Sequence, residues 1–129
     1  MKITSFSPNL MVKNVNKSIE FYCNILGFSL IQTVPESGEP DWGMVEKDGF
    51  FVMFQKEESI KQEYPELSSQ HSGGALTFYI KITNIQEFYD KIRSHINASH
   101  EMHKTFYGAD EFAVTDPEGF ILVFSDTAE

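Results

Sequence analysis

The chain has 129 residues, enough for one domain with a substantial core, and 41% of them are hydrophobic, with Phe contributing 12. A formal charge of −9 disfavours nucleic acid as a partner, because that binding rests on clustered Lys and Arg set against phosphates. No apolar run reaches membrane-spanning length, and the single cysteine, Cys23, excludes an internal disulfide and a cysteine-based zinc site.

Residues 5–12 alternate, with Phe6, Leu10 and Val12 on one face and Ser7, Asn9 and Met11 on the other, which predicts a half-buried strand. Asn14 or Asn16 is placed to cap a helix carrying Val15, Ile19, Tyr22 and Leu26 at helical spacing, and Gly27 sits where a C-cap glycine belongs. A strand is expected over 28–34, then a turn-rich stretch over 35–40. Residues 41–46 and 50–55 form a hairpin that turns at Lys47, Asp48 and Gly49. Residues 57–73 are expected to be a connector with one short helix near 58–62. The order then restarts. A strand is predicted over 75–82, followed by a helix capped by Thr83 or Asn84, with Glu87 placed for a capping box and an apolar stripe of Ile85, Phe88, Tyr89, Ile92 and Ile96. Segment 97–109 is expected to be extended or irregular and contains His100, His103, Phe106 and Tyr107. Residues 111–115 and 120–125 make a second hairpin around Asp116, Pro117, Glu118 and Gly119.

The two halves superimpose at an offset of 70 positions. Val12-x-Asn14-Val15 matches Ile82-x-Asn84-Ile85, Asp41-Trp42-x-Met44 matches Glu111-Phe112-x-Val114, and Gly49-Phe50 matches Gly119-Phe120. Such a repeat predicts an α+β fold of two tandem βαβββ modules, 1–56 and 74–129, joined by the connector 57–73 within one domain. The face of each sheet that its own helix leaves uncovered needs a partner, so the sheets are expected to curve around a shared cleft. By alternation the cleft candidates are Ser7, Asn9, Met11, Phe51, Met53, Gln55, Thr77, Tyr79, Ile121 and Val123. Asp41 and Glu111, each beside an aromatic residue (Trp42, Phe112), would make the rim acidic, and Trp42, Phe106 and Tyr107 would add aromatic wall or a gate. Apolar walls with a few polar groups are the usual composition of a small-molecule site.

These motifs resemble the vicinal oxygen chelate superfamily, which includes glyoxalase I, bleomycin-resistance proteins, fosfomycin-resistance enzymes and extradiol dioxygenases. The residues that carry the likeness are Val12-x-Asn14-Val15 leading into Ile19-Glu20-Phe21-Tyr22, Leu26-Gly27-Phe28, and Asp116-Pro117-Glu118-Gly119-Phe120. Trp42-Gly43-Met44, residues 51–55, and Phe106-Tyr107-Gly108 followed by Glu111-Phe112 are most similar to the bleomycin-resistance or glyoxalase-like branch. The resemblance implies a divalent metal held on the first and last strands of each half, which here places Ser7, Met53, Thr77 and Val123 at the metal positions. None of these is a His, carboxylate or Cys, so no metal and no other cofactor is expected. His71, His100 and His103 are expected in or near loops, and Cys23 as a core filler on the helix.

The expected function is therefore metal-independent binding or sequestration of a small molecule, aromatic, cationic or both, with no catalytic residue identified. Two alternatives stay open: a glyoxalase-type lyase or isomerase with a metal in an altered site, and a non-catalytic interaction module whose cleft is closed by dimer packing. A homodimer is expected because the sheet edges call for cover, and the N-terminus runs into strand pattern rather than an apolar leader, which points to the cytoplasm.

Overall fold

The computed structural model describes residues 1–127. The chain divides into two compact units, the first Met1–Gly73 and the second from Gly74 onward, so residues 57–73 pack with the first half. No helix among the described residues is long and apolar enough to cross a membrane.

In the first unit, β1 (Asn9–Val12) leads into α1 (Val15–Glu20), and three strands follow: β2 (Ser29–Val34), β3 (Trp42–Lys47) and β4 (Phe50–Lys56). Their order in the sheet is β1-β4-β3-β2, with β1 and β4 parallel and the rest antiparallel. Asn14 caps α1, its side-chain oxygen accepting from the Lys17 amide at 3.0 Å. The helix continues as a π-helical turn over Phe21–Ile25 and stops at Gly27, whose φ of +83° lets the Phe28 amide donate back to the Tyr22 carbonyl at 2.9 Å. Val15, Ile19, Tyr22 and Leu26 are all buried with Val12, Val45 and Phe54, and the Tyr22 ring lies 4.9 Å from that of Phe54. The Asp48-Gly49 turn between β3 and β4 has positive φ at both residues, the geometry of a tight two-residue hairpin. A further helix, α2 (Glu57–Glu63), follows β4 and packs against β1 and β4.

The second unit repeats the plan with β5 (Thr77–Lys81), α3 (Ile85–Ile92), β6 (Asn97–Lys104), β7 (Ala109–Thr115) and β8 (Ile121–Thr127), in the order β5-β8-β7-β6. Phe112 is the centre of its core: its ring stacks on Phe124 at 5.2 Å and meets Tyr89 of α3 at 4.8 Å. The 116–120 turn closes on Asp116, which is buried and accepts from the Glu118 and Phe120 amides, both at 2.9 Å.

The duplication is real, but its offset is not constant. First and last strands keep the spacing of 70: Asn9 sits beside Met53 as Tyr79 sits beside Val123. In the third strands Gly43 faces Phe54 while Phe112 faces Phe124, so there the offset is 69. The cause is the turn, one residue longer in the second hairpin. The counterpart of Glu111 is therefore Trp42, not Asp41, and the counterpart of buried Phe112 is Gly43. A Cβ on Gly43 would lie 2.8 Å from Ile19 Cδ1 and 3.3 Å from Val15 Cγ1, so glycine lets α1 approach the sheet where Phe112 fills the equivalent space.

Other expectations need correction. Phe6 is not buried with Leu10 and Val12; it is 86% exposed, because the strand begins only at Asn9 and leaves Ser7 ahead of it. His100 and His103 lie on β6, an edge strand, rather than in loops. Asn84 does not cap α3 with its side chain, and no capping box forms, since Asn84 adopts a left-handed φ of +56°. Instead the Asp126 carboxylate accepts from the first helical amide, that of Ile85, at 3.5 Å.

Candidate functional site

Within the first unit, the face of the sheet turned away from α1 carries Asn9, Trp42, Met44, Phe51, Met53 and Gln55, as pairing register and alternation require. At one end of that face lies an open hollow of about 460 Å³, lined by Asn9, Val34, Asp41, Trp42, Gln55, Ser59, Glu63 and Tyr64. Gln55 organises its floor. Only 8% exposed, it accepts from Asn9 Nδ2 at 2.8 Å and donates from Nε2 to Ser59 Oγ at 2.9 Å and to a Glu63 carboxylate oxygen at 3.1 Å. Its amide spends both of its protons on α2, which ties that helix to the end of the sheet. Trp42 and Tyr64 supply aromatic surface, Asp41 and Glu63 supply carboxylates, and among the described residues no Lys or Arg lines the hollow.

Four residues named from sequence meet there: Asn9, Asp41, Trp42 and Gln55. Met11 is buried, while Phe51 and Met53 stand half-buried on the open face outside the hollow. Val34, Ser59, Glu63 and Tyr64 were missed. A signal existed for two of them, since Ser59 and Glu63 are four apart on a helix following Gln55 and so share one face.

In the second unit, the face turned away from α3 brings together Tyr79, Tyr107, Glu111 and Ser125. The Tyr79 hydroxyl lies 3.0 Å from Ser125 Oγ and 3.2 Å from Glu111 Oε2, and the Tyr107 hydroxyl donates to the same carboxylate oxygen. His103 pairs opposite Glu111 across β6 and β7. Burial pushes the Glu111 carboxyl up, but hydrogen bonds from Tyr107, Ser125 and Tyr79, with the His103 charge, outweigh it and hold the group below its ordinary value. The same bond to Glu111 is the main reason the Tyr107 phenol is raised above its own. Phe106 is 99% exposed, with its ring edge-on to Tyr107 at 5.0 Å, whereas Thr77 is exposed and Val123 half-buried on the same sheet face. Ser125 was not named from sequence, although it stands 70 residues after Gln55 just as Tyr79 stands 70 after Asn9.

At the four positions where the resemblance implies metal ligands, the residues do not fit a divalent ion. Ser7 and Thr77 offer neutral hydroxyls, Met53 a thioether and Val123 an isopropyl group, where zinc or nickel asks for imidazole, carboxylate or thiolate. Among the described residues no three His, Cys, Asp or Glu side chains come together in a way that could hold a metal. Cys23 is half-buried, and burial raises its thiol, which keeps it protonated.

Comparison with known proteins agrees with this architecture. A protein from Agrobacterium tumefaciens str. C58, of unknown function, superimposes with a TM-score of 0.78 at 20% identity, covering 99% of this chain and 97% of that one. A glyoxalase/bleomycin resistance protein/dioxygenase from Nocardioides gives 0.77 at 19% identity over 100% and 86% of the two chains. The bleomycin-binding protein from Streptomyces verticillus, in complex with copper(II)-bleomycin, gives 0.66 at 18% identity over 100% and 99%. No curated protein matches the sequence. The family model that does match is that of the Glyoxalase/Bleomycin resistance protein/Dioxygenase superfamily, over residues 3–124, and the chain belongs to that superfamily.

Proposed function

We propose that the protein binds a small organic molecule without a metal ion, as a sequestering or carrier protein rather than a lyase. The observation that carries this is the hollow of the first unit, which combines aromatic surface, two carboxylates and a hydrogen-bonded amide floor. Sequestration needs such a pocket and no reacting group. The similar Streptomyces verticillus protein, which binds bleomycin, supports a ligand of this kind. A cation about 4 Å from one carboxylate gains at most about 4 kcal/mol at an effective dielectric near 20. Stacking on Trp42 or Tyr64 adds about 0.5–2 kcal/mol. Micromolar affinity corresponds to about 8 kcal/mol, so apolar burial must supply the balance, which favours an aromatic ligand.

Trp42 is the single tryptophan of the chain, so its emission reports directly on the hollow. The test is a fluorescence titration of EDTA-treated protein with metal-free bleomycin and a panel of aromatic amines. A saturable change that raises the melting temperature supports the proposal. Silence across the panel, or binding and hemithioacetal turnover that appear only after nickel or zinc is restored, overturns it in favour of the metal-dependent alternative. A homodimer belongs to the same reading: β2 is an edge strand on which Leu30, Ile31 and Val34 are 52%, 50% and 49% exposed, and sedimentation would show a dimer if a second copy covers them.

A further inference from the structure

The second unit carries a polar cluster that the hollow of the first unit does not use. Glu111 lies on β7, half-buried, with Tyr79 of β5 and Tyr107 of the 105–108 turn aiming their hydroxyls at its Oε2. A phenol that donates inward keeps lone pairs on its oxygen, and although Tyr79 also meets Ser125 Oγ at 3.0 Å, the two phenol oxygens flank the carboxylate as acceptors.

Among the described residues Glu111 makes no ion pair, and the neighbouring Lys104 is taken by Asp110 at 2.9 Å. Tyr79 and Tyr107 are about half exposed. Their rings stand at the surface because the hydroxyls are tethered to Glu111 and Ser125, which fixes two amphipathic walls beside an ionised group without covering it.

We propose that Tyr79, Tyr107 and Glu111 form a second binding site, for the primary ammonium group of an organic amine. Three N–H donors match the carboxylate and the two phenol oxygens, and the aliphatic stem lies along the exposed ring surface. The site is independent of the first unit's hollow and survives if that hollow binds nothing.

The test is a heteronuclear NMR titration of the intact chain with n-butylammonium chloride, with butan-1-ol as the uncharged isostere and potassium chloride as the ionic-strength control. The expected result is saturable shifts centred on the amides of residues 79, 107 and 111, with a dissociation constant of about 1–10 mM for so small a probe. Butan-1-ol and potassium chloride produce none there. Glu111→Gln, which keeps shape and removes the charge, weakens binding about tenfold or more, while Tyr79→Phe weakens it severalfold. Shifts matched by butan-1-ol or by potassium chloride, shifts mapping elsewhere, or unchanged affinity in Glu111→Gln would each overturn the assignment.

Discussion

Replacing Gln55 by Leu isolates what holds α2 to the sheet. The substitution keeps most of the side-chain volume and removes three hydrogen bonds at once, to Asn9, Ser59 and Glu63, at 2.8, 2.9 and 3.1 Å. Each contributes about 0.5–1.5 kcal/mol net, and the one to the carboxylate stands at the upper end. Leaving the part-buried Asn9 amide without its acceptor costs about 1–3 kcal/mol more if water cannot reach it. Leu returns part of this through apolar burial, so the expected loss is about 2–4 kcal/mol, large against a whole-domain stability of about 5–15 kcal/mol. Urea unfolding followed by circular dichroism measures that loss, and hydrogen exchange locates it. The amides of α2 should exchange faster while those of β4 stay protected, and Trp42 emission should shift as the hollow loosens. A loss below about 0.5 kcal/mol, with α2 protection unchanged, would show that burial of Ile60 alone docks the helix and that the amide network is incidental.

Three further outcomes follow from the same packing. The Glu111 carboxyl is held below its ordinary value of 4.5, so its contribution to stability is present above that pH and fades as the pH falls through the lowered value; Tyr107, raised from 10.0, keeps its contribution below pH 10 and loses it only in stronger base. Urea midpoints of wild type and Glu111→Gln should therefore differ most between these limits and converge in acid, and a gap that widens below pH 4 would contradict the sign. Asp116→Ala removes the acceptor for two backbone amides in a buried turn and should cost about 2–4 kcal/mol by urea unfolding; a near-neutral result would mean that water replaces the carboxylate. Gly43→Ala drives a methyl against the flexible end of Ile19 and should cost about 1–3 kcal/mol, and adding Ile19→Val, which removes that end, should recover part of the loss. Strict additivity would place the strain elsewhere.

Much of the architecture was legible in the chain because it is written in local rules. Helical spacing from Val15 to Leu26, the Asn14 cap, the Asp48-Gly49 turn and the positive φ at Gly27 depend on neighbours within a few residues, and the duplication repeats the helical spacing from Ile85 to Ile92. The open-face pairs Asn9 with Gln55 and Tyr79 with Ser125 are related by the offset of 70; alternation named Asn9, Gln55 and Tyr79 but not Ser125. The slip to 69 was invisible. The closing strands of both hairpins are continuous apolar runs, 50–54 and 120–124, and one added residue in a turn shifts the partner strand without leaving a mark in such a run. Hence Asp41 was mistaken for the mate of Glu111, and the small residue Gly43 showed no sign of standing where Phe112 stands.

The amino-acid sequence by itself determined two βαβββ repeats and an acidic chain, because these follow from residue identity and periodicity alone. Tertiary structure decided which polar groups meet: the connector helix closing over Gln55, and the two tyrosines converging on Glu111. Such meetings depend on strand register and on how far a helix can approach a sheet, and both are set by packing between residues remote in the chain, where no periodicity records them.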